Sequence, residues 1–166
     1  MSRWIGPALV ALLLAAPAAL AQDVAWQDYT DSTYGFSAEL PMGWFEEVED
    51  TGNPGITLRE IGGEAQLSLY GGPAEGMTRD ALEARLASGE QIATITYRAG
   101  GESWFVLSGH YDITATGEQI IYYTKVLFSP DHDTFSAFEI SFPVKDKPRF
   151  EALVEYFEDN FTRPRS

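Results

Sequence analysis

Two stretches, Ser103 to Thr114 and Glu118 to Phe128, restrict the architecture of this chain more than any other feature of it. Both read as long strands, and successive strand residues point to opposite faces of a sheet. Trp104, Phe105, Tyr111, Tyr122 and Tyr123 are therefore divided between the two faces. Both faces can be deep core only if helices cover both. An uncovered aromatic patch would instead be a binding surface for a partner protein or a small ligand. Thr116-Gly117 joins the two runs, and a hairpin centred on that dipeptide sets His110 opposite Tyr123, Asp112 opposite Ile121 and Ser108 opposite Lys125.

The remaining elements follow from period and punctuation. Phe36, Ala38 and Leu40 alternate with Ser37 and Glu39, and Pro41 and Gly43 end that strand and deliver Trp44 to a short second one running to Val48. Residues 49–55 read as an acidic turn region whose last four residues, Gly52 to Gly55, are strong turn formers. Ile56 to Ile61 and Ala65 to Tyr70 predict a hairpin. A helix is expected over Arg79 to Ser88, capped by Thr78 and ended by a left-handed Gly89. Ala93, Ile95 and Tyr97 suggest one face of a further strand that turns at Ala99-Gly100-Gly101, and Phe138, Ile140 and Phe142 form a row in the last strand. The closing helix has Asp146 at its N-cap and an apolar stripe of Phe150, Leu153, Val154, Phe157 and Phe161. Asn160-Phe161-Thr162 matches a glycosylation sequon, but Phe161 belongs to that stripe. Gln22 to Thr33 reads as a lead-in that packs across the domain. The fold class expected is α+β, with a central antiparallel sheet, one inserted helix and one C-terminal helix.

Met1 to Ala21 has the form of a secretory signal peptide: a cation at Arg3, an apolar run, and a small-x-small end at Ala19-Leu20-Ala21. Pro7 and Pro17 break the run, which is short for a membrane span of about 20 apolar residues. Cleavage is expected between Ala21 and Gln22, leaving residues 22–166 as one domain, periplasmic or secreted and without stable membrane insertion. With no cysteine in the chain, neither disulfides, thiolate chemistry nor a lipid-bearing cysteine is available. A formal charge of −14 argues against nucleic acid and anionic lipid surfaces as partners.

Catalytic patterns are sparse. Ser108, His110 and Asp112 share a strand face but stand about 7 Å apart step by step, too far for a Ser–His–Asp relay. A hydrolase is accordingly the third-ranked reading. Asp131-His132-Asp133 offers metal-ligating side chains, yet a site needs three or four converging donors and the chain has 2 histidines. A solvated turn is the simpler reading there. Glu46 and Glu47 point to opposite faces and cannot pair as acid and base. No catalytic residue, metal or cofactor is therefore assigned. The weak ligand-site candidates are His110, Asp112 and Tyr123 in one possible pocket and Asp131, His132 and Asp133 in the turn.

Tyr34-Gly-Phe-Ser-Ala-Glu-Leu-Pro-Met-Gly-Trp44, together with Phe138-Glu-Ile-Ser-Phe-Pro143 and a terminal helix ending Phe157-Glu-Asp-Asn-Phe161, resembles the PsbP-like family. That family shares its fold with a nuclear-import factor that binds the GTPase Ran. The resemblance implies an α/β/α sandwich acting as a non-catalytic binding or assembly factor, here one of the bacterial envelope with an unknown periplasmic protein partner. A small-molecule or metal-binding periplasmic module is the alternative. Photosystem-associated members help retain calcium, chloride and manganese, and none of their functional positions is matched in this chain.

Overall fold

In a computed structural model of the chain, residues 24–49, 55–112 and 117–165 are described. The signal sequence, its cleavage site, Thr116 and most of the turn at 49–55 lie outside the described residues. The first strand is one that the sequence did not suggest. Within the expected lead-in, β1 (Trp26–Thr30) pairs antiparallel with β2 (Ser37–Pro41) as a two-stranded sheet. Four of the five β1 residues are exposed, so no apolar alternation marks it.

The main sheet contains β3 (Phe45–Glu47), β4 (Ile56–Glu60), β5 (Gln66–Pro73), β6 (Ile92–Gly101), β7 (Trp104–Tyr111), β8 (Ile120–Phe128) and β9 (Thr134–Pro143). Its spatial order is β3-β4-β5-β9-β8-β7-β6, antiparallel throughout. The last strand in sequence is thus a central one. Between β5 and β6 the chain forms α1 (Arg79–Ala87), and a 3-10 turn (Val144–Asp146) leads into α2 (Lys147–Asn160).

Strand alternation assigns each face its cover. Leu67, Leu69, Phe138, Ile140 and Phe142 point to the side of α2 and join Phe36 and Leu40 of the small sheet and Phe150, Leu153 and Phe157 of the helix. Phe105, Leu107, Tyr122, Val126, Phe128 and Ala137 point the other way and pack with Leu82 of α1. The result is an α/β/α sandwich with two apolar layers separated by one sheet. Phe161, the middle residue of the sequon, is buried in the first layer, while Asn160 is exposed.

One end of each helix departs from expectation. Thr78 caps α1 as anticipated, its hydroxyl oxygen accepting from the Ala81 N–H at 3.2 Å. The helix ends, however, on Ser88 at φ −96°, and Gly89 is absent from the left-handed positions. Asp146 makes no side-chain cap, because the 3-10 turn already continues the chain into α2.

Three strand details also differ. Bulges between Ile92 and Thr94 and between Ile95 and Tyr97 interrupt β6, so Ile92 and Ile95 pack toward the α1 layer while Tyr97 is 55% exposed. Ala99-Gly100-Gly101 is strand, not turn. A Cβ on Gly100 would stand 1.9 Å from Nη2 of Arg79, so the glycine makes room for that guanidinium. Finally, Ser108 lies opposite Tyr123 and His110 opposite Ile121, two residues from the expected register. A two-residue slip keeps every side chain on its face, so the apolar pattern cannot detect it.

Candidate functional site

The α1 helix is only 9 residues long and covers the α1 face unevenly. Over Phe105, Phe128 and Ala137 the sheet is buried, whereas on the same face Gln66 is exposed and Ser68, Tyr70, Glu139 and Ser141 are half-buried. On the opposite face of those strands Leu67, Leu69, Ile140 and Phe142 are buried. Over β5 and β9 the α2 side is thus the better covered of the two, while over β7 and β8 that side is itself only part-covered, with Ser108, His110, Ile121, Tyr123 and Lys125 half-buried.

Glu139 sits in the middle of the half-buried part of the α1 face, its open half, with Ser68 of β5 on one side and Thr124 of β8 on the other. The Tyr111 hydroxyl donates to its Oε1, and the Thr124 hydroxyl donates to its Oε2 at 3.0 Å. Tyr111 in turn stacks on Tyr122, with ring centroids 4.8 Å apart and planes 14° from parallel. Tyr122 is 1% exposed, and its buried hydroxyl has no hydrogen-bond partner among the described residues. Tyr70 borders the cluster, its ring edge-on to Phe135.

The phenols of this cluster hold their protons. Burial, and next the negative charge of Glu139, raise the pKa of Tyr70, Tyr111 and Tyr122 above the ordinary phenol value. They are therefore hydrogen-bond donors at neutral pH and unsuited to serve as bases. Arg85 on α1 lies close enough to Tyr70 to oppose part of its rise. Across the sheet, burial followed by the Glu158 carboxylate does the same to Tyr123. A phenol with a raised folded pKa contributes stability that is present below the unfolded value of about 10 and lost as pH rises above it. We expect a spectrophotometric alkaline titration to show these four tyrosines ionising only as the far-ultraviolet circular dichroism collapses. Reversible ionisation of all tyrosines near pH 10 in the folded chain would contradict this.

The residues singled out from sequence do not converge in this way. His110 faces the α2 side, with Nδ1 3.5 Å from the Thr94 hydroxyl. Tyr123 shares that face but donates to Glu158 Oε1 at 2.5 Å, and Lys125 reaches the same carboxylate at 3.4 Å. Asp112 lies past the end of β7, is exposed, and only its N–H is engaged, with the Gln91 carbonyl. A pocket holding His110, Asp112 and Tyr123 is thus not assembled, because the longer β7–β8 connection ends the pairing before Asp112. Ser108 donates to the Tyr122 carbonyl at 2.8 Å.

Asp131, His132 and Asp133 form an exposed turn between β8 and β9. Asp131 Oδ1 accepts from the Ser129 hydroxyl at 2.6 Å and from the Asp133 N–H at 3.1 Å, which holds its carboxyl below the usual range. His132 is left-handed at φ 64°, and its ring stacks on Phe128. Among the described residues no group of three or more acidic or imidazole side chains is placed to hold a metal ion.

The sequence marks Tyr111 and Tyr122 as members of a possible aromatic patch but does not single out Glu139 or Thr124. Glu139 reads as an ordinary wet position between Phe138 and Ile140, and its donors lie 28 and 15 residues away in sequence. The available signal was a lone carboxylate in the middle of the most apolar strand.

A central antiparallel sheet roofed by a short inserted helix on one side and a terminal helix on the other defines the PsbP-like fold, shared with Mog1. The solution structure of cyanobacterial PsbP (CyanoP) from Synechocystis sp. PCC 6803 matches with a TM-score of 0.62 at 13% identity, over 90% of this chain and 98% of that one. The crystal structure of the Ran-binding protein Mog1p of Saccharomyces cerevisiae matches with a TM-score of 0.59 at 8% identity, over 84% and 96%. At these identities the likeness is one of fold. No protein-family model matches the chain, and no curated protein matches it in sequence.

Proposed function

We propose that this chain is a non-catalytic binding or assembly factor of the bacterial envelope, secreted by its N-terminal signal and holding a protein partner through the open half of the α1 face. The observation that carries the reading is the Glu139 cluster: one half-buried carboxylate with two hydroxyl donors, beside phenols that stay protonated, on the face of the sheet that α1 covers unevenly. Such an array recognises polar groups by hydrogen bonding. A Ran-binding protein of yeast is built on the same fold, which supports a binding role by analogy of fold only.

The test is capture from the periplasmic fraction of the source cells with tagged residues 22–166, with and without chelator, beside the variant Ser141→Arg. Ser141 is half-exposed on the open half and lies opposite Gln66 and Tyr122. We expect a protein retained in chelator by the native chain and lost at least about tenfold by the variant, the loss expected when a bulky charge enters an interface centre. Equal retention by both, or retention of only a small compound detected by native mass spectrometry, would overturn the reading.

A further inference from the structure

Several buried or part-buried carboxylates of this chain come with cations, whereas Asp31, Glu39 and Glu139 accept only from N–H or hydroxyl donors among the described residues. Glu60 pairs with Arg149, Glu83 with Arg79 and Arg98, and Glu158 with Lys125. Glu139, in the middle of the sheet, has two hydroxyl donors and, among the described residues, no cationic partner. A carboxylate has about four acceptor positions, of which two are taken here. The neighbouring rings of Tyr70 and Tyr111 are half-buried, and aromatic faces attract cations.

Resting on the binding-factor reading above, we propose that the partner supplies the missing cation: a lysine or arginine side chain enters the open half of the α1 face and places its head on Glu139 beside Tyr70 and Tyr111. Its donors take the free acceptor positions, and the apolar stem lies against the rings. A divalent metal ion is disfavoured, because the cluster has one carboxylate and phenols that keep their protons, whereas such ions take several anionic or carbonyl oxygens. Arg85 at the rim of α1 makes no ion pair among the described residues and touches only the Met77 sulfur at 3.9 Å, which leaves it available to main-chain carbonyls of the incoming segment. The chain's charge of −14 draws a basic segment toward it at long range.

The probes are acetyl-Gly-Gly-Lys-Gly-Gly-amide, the same peptide with arginine or norleucine in place of lysine, and n-butylammonium. The tyrosine ring signals of the chain are followed by NMR at low ionic strength. We expect saturable shifts of Tyr70 and Tyr111 with the lysine or arginine peptide and none with norleucine. Glu139→Gln should weaken binding about tenfold or more, the worth of a charge-assisted hydrogen bond. Glu155→Gln, which removes the same charge from the exposed face of α2, should leave binding unchanged. Ser68→Lys places an ammonium directly across from Glu139 and should abolish binding with the backbone spectrum otherwise intact. Shifts that do not saturate, that survive Glu139→Gln and Ser68→Lys, or that fall equally with Glu155→Gln would overturn the proposal. So would butylammonium binding as tightly as the peptides, which would make this a free-amine site. If the peptides fail while Ser141→Arg still releases the captured protein, this inference falls and the binding-factor reading stands.

Discussion

Phe138→Ala should lower the unfolding free energy by about 3–5 kcal/mol, measured by urea titration of far-ultraviolet circular dichroism. Phe138 is fully buried on the central strand β9, and three other rings lie against it: Tyr123 at 5.9 Å, Phe157 at 5.4 Å and Phe161 at 5.3 Å between centroids. Truncation removes the ring's transfer energy and also leaves a cavity that three rings on two other elements would have to shift together to fill. Partial collapse is the expected response, so the cost should fall toward the upper end for a phenylalanine. A loss below about 1 kcal/mol would mean that this layer is loosely packed and the sandwich described above is wrong at its centre.

Arg149→Met should cost about 2–3 kcal/mol, for an electrostatic reason. Glu60 is 7% exposed, and its partners are the Arg149 guanidinium and the Ala65 N–H at 3.1 Å. Arg149 also lies over the rings of Phe150 and Trp44, at 4.6 and 5.9 Å from their centroids. Methionine keeps much of the stem packing but strands the carboxylate, and breaking a buried pair from one side costs about 3–5 kcal/mol. Arg149 itself is half-exposed, so water can reach part of the gap and the lower figure applies. Adding Glu60→Gln should restore about half of the loss, since no buried charge then remains. A double variant no better than the single one would show that the stem and not the charge is what matters.

These two sites show what the sequence makes legible and what it does not. The stripe from Phe150 to Phe161 and the row Phe138, Ile140, Phe142 are periodic, and periodicity states which side is buried without any knowledge of the partner. Both layers of the sandwich follow from that. The strand β1 has no such stripe, since only Tyr29 is part-buried within it, and its pairing with β2 is a backbone matter. The register of β7 on β8 depends on the length of the connection, and a period of 2 cannot distinguish registers two residues apart. The bulges of β6 are packing events that move Ile92 and Ile95 to the core side against the alternation.

The candidate site was less legible still. His110, Tyr123 and Asp131 attracted notice because their chemistry is dense in a short span, yet each is engaged locally, with Thr94, Glu158 and Ser129 respectively. Glu139 gathers Tyr70, Tyr111, Tyr122 and Thr124 from three other strands. Only the strand order β5-β9-β8-β7 brings them together, and no local motif encodes it.

The absence of cysteine allows one decisive measurement. A photo-crosslinker attached to Ser141→Cys, in the open half of the α1 face, is compared with one attached to Glu155→Cys on the exposed side of α2, each incubated with the periplasmic fraction of the source cells. A single covalent adduct with a protein, formed from position 141 and not from position 155, is the expected result. An adduct formed from position 155 alone, or from neither, would contradict a docking surface centred on Glu139.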